Sequence, residues 1–126
     1  MTARRICLTV AIAILFAACG ASARDKAIAT TFATVNAAGS GFVAFDAKHQ
    51  QDIVAGATSM AAGAASLAEW RRTQLVVQSA FTIAYRAIAA ASAANDDASL
   101  AAMAAAALQL AEAIKSAEST SPGASP

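Results

Sequence analysis

Cysteine, proline, histidine, aromatic residues and charge are all scarce in this 126-residue chain. Cys7 and Cys19 both fall within the first twenty residues, so the rest of the chain can form no disulfide of its own and must be held by packing. The prolines, Pro122 and Pro126, sit at the far end, leaving a long stretch without the strongest helix breaker. His49 is the single histidine, too few for a histidine-rich metal centre. A formal net charge of +1 is too small for the basic surface that nucleic acid requires. No G-x-S-x-G nucleophile motif, phosphate-cradling glycine loop or paired-cysteine motif occurs. With one histidine as the only base near neutral pH, these absences argue against an enzyme.

Alanine is what the chain has in abundance. It has the best intrinsic helix propensity, and with proline absent the expected fold class is all-α. An alanine methyl buries little area, so much of the roughly 25 cal/mol per Å² of apolar burial has to come from a few large side chains.

The first twenty residues stand apart. Arg4 and Arg5 precede an uncharged run from Ile6 to Ala18, which ends on Ala17, Ala18, Cys19 and Gly20. A positive start, a short apolar core and small closing residues are the build of a secretory signal. About thirteen residues of helix reach roughly 20 Å, short of the roughly 30 Å hydrocarbon core. Leu15-Phe16-Ala17-Ala18-Cys19-Gly20 resembles the lipobox of bacterial lipoproteins, although an aliphatic residue is usual where Phe16 stands. That resemblance implies a diacylglycerol on the Cys19 thiol, cleavage before it, and an N-acyl lipid on the new amino terminus. Gly20, in place of Asp, leans toward the outer membrane by the same analogy. A competing site, Ala21-Ser22-Ala23 before Arg24, would release a soluble protein instead. Loss of the leader removes Arg4 and Arg5, turning the net charge from +1 to −1.

The expected organisation is a signal over residues 1–18, a lipidated tether over 19–23, a helical domain over 24–117 and a disordered tail over 118–126. In the first helix (24–54), Ile28, Phe32, Val35, Ala38, Phe42, Phe45 and Ile53 recur at helical spacing. Gly39-Ser40-Gly41 is its weak point, where a kink or break is expected. A turn at Gly56–Ser59 leads to a second helix (58–94), with Ser66 and Glu69 as an alternative start. Met60, Leu67, Trp70, Val77, Phe81, Ala84 and Ile88 form its stripe, while Leu75, Val76, Ile83 and Tyr85 lie off it. That wider apolar surface predicts burial on two sides. Asp97 is the expected cap of a third helix (98–117), with Leu100, Met103, Ala107, Leu110 and Ile114 inward and Glu112 and Lys115 outward. The architecture predicted is an antiparallel hairpin of two long helices with a shorter third laid on the second, an alanine-rich three-helix bundle. Asn95-Asp96-Asp97 interrupts the alanine-rich region and argues against a second membrane crossing.

Two polar clusters are candidate sites. Asp46 and His49 share a helix face at the spacing of a metal-binding pair, but no second histidine exists to complete a di-iron set. Trp70, Arg71 and Arg72 are a candidate partner contact, since tryptophan and arginine are enriched at binding hot spots. The competing reading puts Trp70 in the core and the arginines in solvent. The functional expectation is a non-enzymatic small lipoprotein of the cell envelope, anchored in the membrane, facing the periplasm and acting as a structural or protein-binding component. No cofactor is expected beyond the lipid on Cys19. The alternative is a soluble secreted or periplasmic bundle that binds a small ligand or metal.

Overall fold

The computed structural model describes residues 21–120 except Asn95. The signal expectation, with Cys19, and residues 121–126 of the expected tail lie outside the described residues; Glu118 and Ser119, expected in that disordered tail, are helical instead. Three helices account for the rest: α1 (Ala21–Gly56), α2 (Met60–Ala93) and α3 (Asp97–Ser119). The protein is an all-α three-helix bundle, with no strand among the described residues.

Several boundaries differ from the sequence expectation. Residues 21–23, part of the stretch expected to be a tether, are helical within α1, and Ala23 is buried. Helix α1 runs unbroken through Gly39-Ser40-Gly41. A Cβ on Gly39 would stand 3.6 Å from the Phe81 ring, ordinary contact, so neither glycine is there to relieve crowding. Helix α2 starts one residue after its cap, Ser59, whose side chain accepts from the Ala62 N–H. Ser66 is helical interior, not a start. Asp96, not Asp97, caps α3 by accepting from the Ser99 N–H at 2.7 Å; Asp97 occupies the first turn, where its charge favours the positive helix end.

Cross-helix contacts fix the topology. Asn36 meets Tyr85, Asp46 meets Trp70 and Arg24 meets Ala91, so α1 and α2 run antiparallel. Helix α3 returns along α2, makes its broadest contact there, and touches α1 less. The core holds Val35 and Phe42 from α1, Trp70, Val77, Ala84 and Ile88 from α2, and Met103, Leu110, Ile114 and Ala117 from α3. Between α2 and α3 much of the interface is methyl on methyl: Ala84, Ala91, Ala106, Ala107 and Ala117 are all buried.

Helix α2 packs against both α1 and α3, but its apolar surface is wider than the two cover. Leu75, Val76 and Ile83 stay exposed, and Met60, expected on the inward stripe, is 94% exposed because α1 and α3 both end near it. Phe32 is also half exposed, lying edge-on to Tyr85. Each of the three helices is long and apolar enough to cross a membrane by length and composition. In sequence Asn95-Asp96-Asp97 falls at the α2–α3 junction, so it interrupts none of the three helices.

Candidate functional site

The densest polar group of the sequence lies where α1 crosses the first half of α2. Asp46 follows Phe42 and Phe45 on the inward face of α1, so its carboxylate points at α2 rather than at solvent. Oδ1 accepts from Trp70 Nε1 at 2.6 Å and from Gln74 Nε2 at 2.7 Å, and Oδ2 accepts from Gln50 Nε2 at 3.0 Å. Three donors on one carboxylate hold it in place.

His49, one turn on, is 5% exposed. Its ring stacks on Phe45 at 5.7 Å and meets Trp70 edge-on at 4.1 Å. Asp46 and His49 thus share the neighbourhood of Trp70, yet among the described residues no three histidine, cysteine or acidic side chains gather as a metal would require. Trp70 itself is 4% exposed and packs against Phe42 and Phe45. It belongs to the core, while Arg71 and Arg72 are exposed. The three therefore do not form one contact surface.

Beside this network is a cleft of about 460 Å³ that the sequence reading missed. Helix α1 contributes His49, Asp52, Ile53 and Gly56; α2 contributes Ala62, Ser66, Glu69, Trp70 and Thr73; the turn adds Ala57 and Thr58, and α3 reaches it only with Thr120. Its origin is a mismatch of lengths. Helix α3 has 23 residues against 36 and 34, and it stops before covering the end of the hairpin. Relative helix lengths were legible beforehand; the hollow they leave follows only once the register is known. Asp52 at the rim pairs with Lys48 at 2.6 Å, both side chains exposed.

A different arrangement closes the opposite end. The Arg24 guanidinium donates to the carbonyls of Ala91 and Asp96 at 2.8 Å each, to the Ala94 carbonyl, and to Ser99 Oγ at 3.2 Å. It supplies donors to the last turn of α2, where orphan carbonyls carry partial negative charge. Asp96 has its carboxyl lowered below the usual range, first by the Ser99 N–H and also by the charge of Arg24. A second hollow of about 530 Å³ lies here, between Phe32 and Ile88, but the guanidinium on its wall is committed to backbone.

These features define a class, an all-helical bundle stapled at both ends with a cleft at its uncapped end. Comparison with protein-family models, with curated proteins and with solved structures finds no match to the chain.

Proposed function

We propose that the chain is a non-enzymatic lipoprotein of the bacterial cell envelope, anchored through Cys19 and acting by contact as a structural or protein-binding component on the periplasmic face, with the outer membrane favoured. The observation that carries this reading is the lipobox-like Leu15-Phe16-Ala17-Ala18-Cys19-Gly20 at the end of the signal-like run. Cleavage before Cys19 also keeps Ala23, which is helical and buried, whereas cleavage after Ala23 would remove that methyl. The alternative site would also place a second positive charge, the new ammonium, on Arg24. Anchoring at the α1 start leaves the cleft at the far end: 28 residues of helix separate Ala21 from His49, about 42 Å at 1.5 Å per residue.

Metabolic labelling with a palmitate analogue tests the anchor. Wild type is expected to be tagged and Cys19→Ala not; an untagged wild type, or a tag retained in the variant, removes the reading. The mass of the mature amino terminus separates a start at Cys19 from one at Arg24.

The cleft supports a second reading, a soluble secreted or periplasmic bundle that holds a small ligand. Its metal version has less support, since Asp46 is engaged by three donors. Elemental analysis of purified protein, with thermal stability compared with and without chelator, decides that version.

A further inference from the structure

We infer that the cleft at the α1–α2 turn binds a small organic cation, an ammonium or guanidinium group on a short aliphatic body. Its volume of about 460 Å³ lies within the range of small-molecule sites. Ile53, Ala57 and Ala62 give it apolar wall, which suits an aliphatic body. Charge decides the rest. Asp52 on α1 and Glu69 on α2 bring two carboxylates to the cleft, and among the described residues no lysine or arginine lines it.

Backbone adds to the same sign. Helices α1 and α3 both end at this cleft, at Gly56 and Ser119, and neither has a basic residue in its last turn. Helix C-termini carry partial negative charge, which favours a cation over an anion, although Ser119 and Thr120 already donate to the Ser116 and Ala117 carbonyls of α3 and leave the α1 end the larger contributor. The positive end of α2 opposes this, but its amides are partly answered: Ser59 Oγ accepts from the Ala62 N–H and the Ser59 carbonyl from the Gly63 N–H. Lys48 pairs with Asp52 through an exposed contact, which is weak enough for a ligand ammonium to share. His49 and Trp70 close the floor.

Trp70 is the only tryptophan, so intrinsic fluorescence reports on this cleft directly. The protein is titrated with n-butylammonium at constant ionic strength, with n-butanol and butyrate as neutral and anionic counterparts. A ligand of this size is expected to saturate with a Kd on the order of millimolar. The amine is expected to give a saturable change and the counterparts none. The double variant Asp52→Asn, Glu69→Gln should bind about tenfold more weakly, corresponding to two rim charges. Glu112→Gln, an exposed carboxylate elsewhere, should bind as wild type. An equal response to butanol or butyrate, no response to the amine, or undiminished binding in a double variant that still melts as wild type overturns the inference. The cleft and not the anchor carries it, so a failed lipid-labelling experiment leaves it untouched, and a failed titration leaves the anchor untouched.

Discussion

Trp70 donates its indole N–H to Asp46 at 2.6 Å, and this bond ties α1 to α2 across 24 residues of sequence. A donor and an acceptor in a largely apolar interface are costly apart and stabilising together. Asp46→Ala leaves the indole and the Gln74 amide without their acceptor, and should cost about 2–3 kcal/mol. Asp46→Asn keeps one acceptor oxygen and should cost less. Urea denaturation followed by Trp70 emission measures both; a loss below about 0.5 kcal/mol for Asp46→Ala would show that the network contributes little to the fold.

The inward face of α3 can be checked with one pair of leucines. Leu110 is 2% exposed and Leu108 is 48% exposed. Leu110→Ala should destabilise by about 2–5 kcal/mol, and Leu108→Ala by under about 1 kcal/mol. Similar losses at both positions would contradict the register of α3 against α2.

Glycines in the helices offer a contrast in sign. A Cβ on Gly41 meets nothing within 4 Å, so Gly41→Ala should stabilise by about 0.5–1 kcal/mol. On Gly63 the added carbon would stand 3.1 Å from the Ala57 methyl, and the turn has to give way. Gly63→Ala should therefore gain less than Gly41→Ala or lose stability outright. Equal gains would mean that the α1–α2 turn yields freely. Thermal melts of the two variants distinguish these outcomes.

Acid should release the α2–α3 turn. The folded carboxyl of Asp96 is lowered, so its contribution is present above the unfolded value of about 3.9 and is lost as pH falls through the lower folded value. The difference in melting temperature between wild type and Asp96→Asn should be constant from pH 7 to about pH 5 and shrink toward pH 2. A gap that persists unchanged at pH 2 contradicts a charge-dependent cap.

Periodicity made most of the fold legible. Val77, Ala84 and Ile88, and Met103, Leu110 and Ile114, were expected inward and are buried, because a 3.6-residue repeat specifies a face whatever lies opposite. It does not specify where the neighbouring helix ends, which is why Met60 lies on the predicted stripe and yet in solvent. Leu75 and Val76 show a related limit: α2 packs against both α1 and α3, yet these two side chains lie on an arc that neither partner covers. The candidate site was half visible. Asp46 and His49 stood out by composition, but their engagement with Trp70 and Gln74 depends on axial register, which has no local signal. The Arg24 clamp spans 67 to 75 residues and was equally hidden.

Methyl-lined seams fit at many axial offsets, because one alanine turn looks much like the next. Sliding of the rods is therefore resisted by few groups. On α1 the polar ones are Arg24, Asn36 and Asp46, the first and last 22 residues or about 33 Å apart. Removing Arg24 or Asp46 frees one end of the alignment, whereas removing all three should leave a helical protein whose rods no longer hold a single offset.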